Sequence, residues 1–234
     1  MSAKMTIDIW TDLMCPFCFI GKKNLDSALL QFYDRDSLAI EWHSYLLAPD
    51  FHPRSKKNGP KILAEYKGVS LDKAKAMSVY VTQMAQQAGI QFDLDRLQWA
   101  DTLQAHRLLQ WSKPLGSAYS LEQRLFEAVF CYGENIGDVR TLLRIVEEIG
   151  LPVQDAFSVL KGNDFTDAVK KDMRHSLTIG MRSLPFFLVD NKFTFSGAAQ
   201  PTDFLQIISD NYTEWRNDNP PFFSSTGTDG PLSS

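Results

Sequence analysis

Alternating hydrophobic and polar residues open the chain and predict a β-strand over residues 6–10. A second β-prone run at 39–46 predicts another strand. The segment between the two runs carries apolar residues at helical spacing, which predicts a helix with one face on a sheet. Strand, helix and strand in this order are typical of a parallel crossover unit. The helical stripe consists of Phe19, Ile20, Leu25, Leu29 and Phe32.

The pattern becomes helical from residue 59 to residue 177. Ser70 is placed to cap the start of one helix, and Gly89 is placed to end it. We interpret the whole segment as a helical insertion. Its apolar positions recur at intervals of three or four, in the stripes Met77, Val81, Met84 and Ala88; Leu121, Leu125 and Val129; Leu142, Ile145, Val146 and Ile149; and Phe165, Ala168, Val169, Met173 and Leu177.

A β-hairpin is predicted after the helical block. Its strands cover residues 185–189 and 193–196, and the polar residues 190–192 form the turn. Pro201 suits the first turn of a closing helix. The apolar positions of that helix are Phe204, Ile207, Ile208 and Trp215.

These segments predict an α/β protein with a thioredoxin-like fold and a large inserted all-helical domain. The thioredoxin-like domain is discontinuous and covers residues 1–58 and 178–219, and the insertion covers 59–177. Residues 220–234 are rich in Pro, Gly, Ser and Thr, which predicts a flexible C-terminal tail.

Charge and length restrict the function classes. The chain has 234 residues, 44% of them hydrophobic, which is enough for a substantial core. Its 24 Lys and Arg residues against 28 Asp and Glu residues give a net charge of −4. This balance disfavours binding to nucleic acid or to an anionic membrane. The N-terminal residues lack the apolar run of a secretory signal, so we expect a cytoplasmic protein.

The chain has three cysteines, and two of them form the sequence Cys15-Pro16-Phe17-Cys18 directly after the first strand. Three cysteines are too few for a disulfide scaffold, so this pair is more consistent with catalysis or metal binding than with a permanent structural disulfide. A helix that begins at Cys15 directs free backbone N–H groups at its sulfur and favours the thiolate. Pro16 suits the helix start, and Phe17 presents an apolar surface.

The chain resembles the DsbA family, and more closely its FrnE-like cytoplasmic branch. The resemblance covers roughly residues 5 to 215 by motif order. The motif around Cys15 and Cys18 is fairly specific, whereas the helical motifs are individually weak. The matching pieces are Asp12-Leu13-Met14-Cys15-Pro16-Phe17-Cys18-Phe19-Ile20-Gly21, Ala105-His106-Arg107-Leu108, Leu125-Phe126-Glu127-Ala128, Ile136-Gly137-Asp138, Pro185-Phe186-Phe187 and Ser196-Gly197-Ala198.

The resemblance implies that Cys15 is the exposed nucleophile and that Cys18, more buried, resolves the mixed disulfide. Many relatives carry a buried acid six positions before the nucleophile, where this chain has Ile9. Asp8 and Asp12 are close in sequence, so Asp12 or water is expected to move the proton.

The resemblance also implies a second part of the site. Pro185 would be a cis proline that faces the two cysteines, and Leu184 would offer its backbone to an extended substrate or to glutathione. Relatives commonly have Gly-Val where this chain has Ser183-Leu184. The larger Leu184 is expected to narrow the substrate groove.

Several other residues have both a structural and a functional interpretation. Cys131 is either a small buried hydrophobe or a regulatory thiol. His43 and His106 are either structural or acid–base groups. Met77 and Met84 either pack in the core or line an adaptable peptide surface.

The basic residues near the dithiol are open to a similar choice. Lys22 and Lys23 are expected to lie on a solvated face, or to attract a carboxylate of glutathione. No metal site is expected, because the chain has a single CxxC pair and its histidines lack close ligand spacing.

These observations predict an enzyme, a thiol–disulfide oxidoreductase that exchanges disulfides with protein substrates or low-molecular-weight thiols. It needs no bound cofactor beyond its own redox-active disulfide, and glutathione is a candidate co-substrate. The sequence also permits a homodimer.

Two alternatives stay open. The first is a glutathione-dependent enzyme similar to the hydroxychromene carboxylate isomerases or the kappa-class transferases, although those usually carry Ser at the nucleophile position. The second is a chaperone-like binding module without catalysis, which would use the apolar surface around Phe17, Leu184 and Phe186.

Overall fold

The computed structural model describes residues 3–51 and 59–220. The chain begins with strand β1 (Met5–Thr11), helix α1 (Pro16–Leu29), a short 3-10 turn and strand β2 (Leu38–Ser44). It ends with strands β3 (Phe186–Val189) and β4 (Phe193–Ser196) and helix α9 (Pro201–Asp218). The helices between these parts are α2 (Pro60–Lys67), α3 (Leu71–Gln87), α4 (Leu103–Ser112), α5 (Ala118–Phe130), α6 (Val139–Glu148), α7 (Val153–Lys161) and α8 (Thr166–Thr178).

The described residues form a four-stranded sheet in the order β2-β1-β3-β4. β1 pairs in parallel with β2, with Ile7 opposite Ile40, because α1 crosses over between the two strands. β3 pairs antiparallel with β1 and with β4. The β3–β4 turn uses Asp190 and Asn191 at positive φ, which matches the twist of a tight hairpin.

Two hydrophobic clusters organise the packing. One lies between the sheet and the helices α1 and α9, and it includes Ile7, Leu25 and Phe204. The other begins at Phe19 and Ile20 of α1 and continues through the helical block to α7. The predicted division into two domains remains a prediction, and this second cluster crosses its boundary.

The thioredoxin-like α/β fold with a helical insertion is confirmed. Ser70 caps α3, as predicted, by accepting a hydrogen bond from the backbone N–H of Lys73. The stripe predicted for α8 is wrong at its end, because Leu177 is 72% exposed. The buried face of α8 passes through Val169 and Ser176 instead.

Helix α4 could not be recognised from an apolar stripe, because its residues 105–112 are all buried. Some of these buried polar side chains are hydrogen-bonded inside the protein. The Arg107 guanidinium, for example, donates to the carbonyl oxygens of Asp164 and Val159.

Within the described part of the chain, none of the helices is both long enough and apolar enough to cross a membrane. The predicted flexible tail lies outside the described residues from residue 221 onward.

Candidate active site

The two cysteines lie where β1 leads into α1. Cys15 is the N-cap residue of α1 and has extended backbone angles, and Pro16 occupies the first helical position. The backbone N–H of Cys18 donates to the carbonyl oxygen of Cys15 at 3.0 Å. Both thiols are free. Cys15 therefore lies at the start of the helix, and Cys18 lies three residues later, within the first turn.

Cys15 is less accessible than expected. It is only 4% exposed, and Cys18 is 0% exposed. The expectation of an exposed nucleophile is wrong, because the neighbouring side chains cover Cys15 from bulk solvent. Cys15 nevertheless lines a large cavity, and a substrate would reach its sulfur through that cavity.

Asp12 shapes the turn that precedes the dithiol. Its carboxylate accepts hydrogen bonds from the backbone N–H groups of Met14 at 3.1 Å and of Leu47 at 2.5 Å. Its carbonyl oxygen accepts from the backbone N–H of Cys15 at 2.9 Å. These bonds fix the buried Asp12 beside both cysteines.

The pKa of Cys18 is raised well above the usual value for a thiol. Burial is the largest cause, and the adjacent Cys15 thiol raises the pKa further. A hydrogen bond with the Asp12 backbone opposes these effects, while the Asp12 carboxylate adds to them. Cys18 is therefore protonated at neutral pH and must lose a proton before it can attack a disulfide.

The loop before β3 forms the other side of the site. The Leu184–Pro185 peptide bond is cis. Pro185 is buried and packs against α1, where a Cβ on Gly21 would approach its Cγ to 3.0 Å. Leu184, by contrast, lines the cavity together with Cys15. Among the described residues, no hydrogen bond engages the Leu184 backbone.

The cavity has a volume of about 760 Å³. This volume lies within the range typical of small-molecule sites. No carboxylate of the described residues lines it, whereas Lys67, Lys73 and Arg182 do. The apolar part of the wall includes Phe17, Leu47, Ile62, Met77, Val81, Leu97 and Leu184.

Exposure and packing bear on two of the open interpretations. Met77 is 37% exposed and lines the cavity, which favours the surface interpretation, while Met84 packs partly buried against the helical core, which favours core packing. Phe186 is buried against Trp10 rather than placed on the substrate surface. The chaperone-like alternative therefore loses one of the residues on which it depended.

Two aromatic residues of the cavity wall were missed from the sequence. Tyr66 and Trp99 pack together with ring centroids 4.9 Å apart, and Phe51 completes the cluster. Burial raises the pKa of the Tyr66 hydroxyl, and the charges of Asp12 and Cys15 raise it further. No local sequence signal relates these residues to the dithiol, because α2 and the α3–α4 connection bring them there.

A buried group of ionisable residues lies behind the dithiol. The Nε2 atom of His106 is 3.7 Å from a carboxylate oxygen of Asp12. Glu122, which was missed from the sequence, accepts a hydrogen bond from the Thr11 hydroxyl at 2.9 Å. Burial raises the pKa of Glu122 to about 7, although the charge of Lys22 opposes this shift. Two sequence signals pointed to this group, since His106 lies within the Ala105-His106-Arg107-Leu108 motif and Asp12 lies within the dithiol motif.

Lys22 was expected on a solvated face, and this prediction is wrong. The side chain is buried, and its Nζ atom lies 3.1 Å from the centroid of the Tyr119 ring and 3.7 Å from a carboxylate oxygen of Asp26. Burial lowers the pKa of Lys22. A buried lysine on this side of α1 does not lie in the cavity wall and cannot meet a glutathione carboxylate there.

His43 and Cys131 lie away from the cavity. The His43 ring stacks on Trp10 and bonds through its two nitrogens to the carboxylates of Asp172 and Asp8. Cys131 is the C-cap residue of α5 and is half-buried, and burial raises the pKa of its thiol to about 11. Both positions favour the structural interpretation.

A parallel β-α-β unit, a dithiol at the start of its helix and a cis proline before the next strand define a thioredoxin-like protein with a dithiol site. The model of the DSBA-like thioredoxin domain matches residues 6–209, and the chain belongs to this family.

A comparison with curated proteins finds YwbO of Bacillus subtilis (strain 168), an uncharacterized protein. It is 24% identical over 209 residues, which cover 87% of this chain and 96% of YwbO. Among solved structures, the probable DsbA oxidoreductase SCO1869 from Streptomyces coelicolor is 25% identical, with a TM-score of 0.85 and 97% of each chain covered. The family and this likeness support general thiol–disulfide oxidoreductase chemistry.

Two further solved structures share the fold. The cytosolic disulfide reductase DsbM from Pseudomonas aeruginosa, solved with GSH, is 16% identical, with a TM-score of 0.64 and coverage of 89% of this chain and 99% of that chain. A 2-hydroxychromene-2-carboxylate isomerase is 17% identical, with a TM-score of 0.65 and coverage of 91% and 97%.

Proposed function

We propose that this protein is a cytoplasmic thiol–disulfide oxidoreductase in which Cys15 attacks the substrate and Cys18 resolves the mixed disulfide. The position of the two thiols supports this function. Cys15 lies at the N-terminus of α1 on the wall of the cavity, and Cys18 lies behind it with no exposure. Only the first thiol can meet a substrate, and only the second can displace it.

The reaction transfers two electrons. The Cys15 thiolate attacks one sulfur of the substrate disulfide, and the other substrate sulfur leaves as a thiolate that takes up a proton. The Cys18 sulfur then attacks Cys15, the mixed disulfide breaks, and the second substrate thiol departs. The protein is left with a Cys15–Cys18 disulfide, which an external thiol must reduce again.

The cavity favours one class of substrate. Its wall is mostly apolar, and the charged side chains among its described residues are cationic. We therefore propose small or peptide disulfides that carry an apolar group beside the sulfur and a negative charge further away. Glutathione carries two carboxylates, and DsbM, which shares the fold, was solved with it. The unengaged backbone of Leu184 can pair with an extended peptide or with glutathione.

The redox equilibrium with glutathione tests this function. The protein is equilibrated with reduced and oxidised glutathione, the thiols are alkylated, and the products are weighed by mass spectrometry. We expect an intramolecular disulfide in the parent protein, a stable Cys15–glutathione adduct in Cys18→Ser and neither product in Cys15→Ser. Cys131→Ser is the matched control, and it should behave as the parent does.

Other outcomes would contradict the proposal. A parent protein that forms only the glutathione adduct, like Cys18→Ser, has no working dithiol. Glutathione-dependent chemistry of the isomerase type would then be the better explanation, because it requires no resolving thiol. Suppression of aggregation by the double Cys→Ser variant, with no exchange by the parent, would instead favour a binding module.

A further inference from the structure

Three ionisable side chains meet behind the dithiol, and they come from three different elements. Asp12 precedes α1, His106 lies on α4 and Glu122 lies on α5, at exposures of 2%, 0% and 1%. Burying a charged group costs free energy unless the group is paired or hydrogen-bonded. Neither His106 nor Glu122 takes part in the sulfur exchange between Cys15, Cys18 and the substrate.

Two of these residues have unused hydrogen-bonding capacity. In the described part of the chain, neither ring nitrogen of His106 makes a hydrogen bond, although Nε2 lies 3.7 Å from Asp12. One carboxylate oxygen of Glu122 is bonded to Thr11, and the other has no hydrogen-bond partner there. Buried polar atoms without partners are rare in proteins and call for an explanation.

A small cavity connects His106 with Glu122. Its volume is about 10 Å³, and Thr11, Ser44 and Gln110 also line it. This is close to the smallest volume that holds one water molecule, and such a water needs two to four polar partners. The side chains of His106, Glu122 and Thr11, which all line this cavity, carry such partners. One water at this position would join the ring to the carboxylate.

We propose that Asp12, His106 and Glu122 form a path for the proton that Cys18 must release, with one water between the imidazole and Glu122. This inference rests on the proposed thiol–disulfide exchange. Asp12 is the member of the path that is adjacent to Cys18, and its carboxylate is fixed by two backbone N–H groups. His106 and Glu122 act through Asp12 and never touch the substrate.

The Cys18 sulfur bonds to the Cys15 sulfur, and the bond from Cys15 to the substrate sulfur breaks. The Cys18 proton passes to the Asp12 carboxylate, then through the imidazole and the water to the Glu122 carboxylate. The leaving substrate thiolate takes its proton from solvent at the cavity mouth. Reduction of the protein disulfide reverses this route.

The environment of Glu122 suits a proton acceptor near neutral pH. Its pKa of about 7 is close to the pH at which an acid–base group is most effective. The charged or titratable groups around it are Lys22 and Asp26 of α1, His106 of α4 and Tyr119 of α5. His43 of β2 and Lys113 at the end of α4 line the far side of the small cavity.

Stopped-flow mixing of the reduced protein with excess dithiobis(nitrobenzoate) tests the path. This reagent is a disulfide whose thiolate product absorbs visible light. The first equivalent of product reports attack by Cys15, and the second reports resolution by Cys18. The two rates are measured from about pH 6 to about pH 10 for the parent protein, Glu122→Gln and His106→Gln. Glu127→Gln, a carboxylate change on the same helix outside the cluster, is the matched control.

We expect the second phase of the parent protein to accelerate through pH about 7, where Glu122 loses its proton. In both variants the second phase should be slower at pH 7 by at least about tenfold. The deficit of the variants should narrow toward the alkaline end of the range, because hydroxide can then take the Cys18 proton directly. The first phase and the Glu127→Gln control should be unchanged.

Three outcomes would overturn the path. The second phase could be unchanged in both variants, or it could be slowed by the same factor at every pH, as a merely structural role would produce. The parent protein itself could show no acceleration near pH 7, and this measurement stands even if a variant fails to fold. Release of only one equivalent by the parent at all pH values would instead contradict the dithiol function itself.

Discussion

Cationic side chains from three separate segments line the cavity beside Cys15. Arg182 precedes the cis proline by three residues, is exposed and lines the cavity from the thioredoxin-like side. Lys67 and Lys73 line the same cavity from α2 and α3. Lys22 is close to the dithiol in sequence and yet is buried on another side of α1. The positive charge presented to a substrate therefore comes from residues distant in sequence from Cys15.

Replacement of Arg182 by Gln should reduce discrimination for anionic substrates. We expect kcat/KM for glutathione disulfide to fall roughly threefold to tenfold, while kcat/KM for the neutral dithiodipyridine stays the same, because an exposed charge contributes modestly. The loss of kcat/KM for glutathione disulfide in the variant, relative to the parent protein, should become smaller as salt is added. Arg140→Gln, an exposed change on α6 outside the cavity, is the control. Equal losses for both substrates would show that Arg182 supports the structure and not the selectivity.

At the scale of elements, His43 joins the sheet to the helical block. Its ring on β2 lies between Asp8 of β1, at 2.7 Å, and Asp172 of α8, at 3.0 Å. Asp172 also accepts hydrogen bonds from the Ser44 backbone and the Gln110 side chain. Burial lowers the pKa of His43, but the two carboxylates outweigh it and the net pKa is raised. The protonated ring therefore holds α8 against the strands.

His43→Gln should destabilise the protein in a pH-dependent manner. The pKa of His43 is raised in the folded state. The stabilisation is therefore fully present below the pKa of the unfolded state, about 6.5, and is lost as the pH rises through the pKa of the folded state. We expect a loss of about 1 to 3 kcal/mol in the free energy of unfolding at pH near 5.5 and a smaller loss near pH 8.5. Urea denaturation at both pH values measures the free energy of unfolding of the variant and of the parent protein.

The control for this experiment is His175→Gln, since His175 is an exposed histidine on α8 whose ring meets Trp10 and His43 edge-on. It should change the stability little at either pH. An identical loss for His43→Gln at both pH values would show that the ring contributes packing alone and not charge.

At the scale of the whole molecule, the dithiol helix and the inserted helices share one core. Phe19 of α1 stacks on Phe126 of α5, with ring centroids 5.1 Å apart and planes within 3°. Phe92 and Phe130 extend the stack into the insertion. The residue after Cys18 is therefore anchored by the insertion, which couples the geometry of the site to the helical block.

Phe126→Ala should consequently weaken the entire protein. The loss of a buried ring from a shared core is expected to cost about 3 to 5 kcal/mol. Urea unfolding, followed by far-ultraviolet and near-ultraviolet circular dichroism, should show a single transition at lower denaturant with both signals. Phe157→Ala, at a half-exposed position on α7, should have a much smaller effect. Two separate transitions, with the sheet surviving the helical block, would contradict a shared core.

The order of most elements follows from the sequence because most of them carry a local signal. The alternation around Ile7, the helix start at Pro16, the capping Ser70 and the turn at 190–192 all report on neighbouring residues. The α/β fold and the family were accessible for this reason. The roles of Cys15, Cys18, Asp12, Leu184 and Pro185 remain predictions, and so does the FrnE-like branch.

Local periodicity and one motif specify the β-α-β unit, the helical insertion and the dithiol at the start of α1, so these features can be predicted from the residues alone. The near-burial of Cys15, the burial of Lys22 and the cavity wall at Tyr66 depend instead on the folded arrangement of the chain. This arrangement also brings Glu122 to Thr11 across a sequence separation of 111 residues. Burial and pKa depend on which distant segments pack together, and no local pattern carries that information.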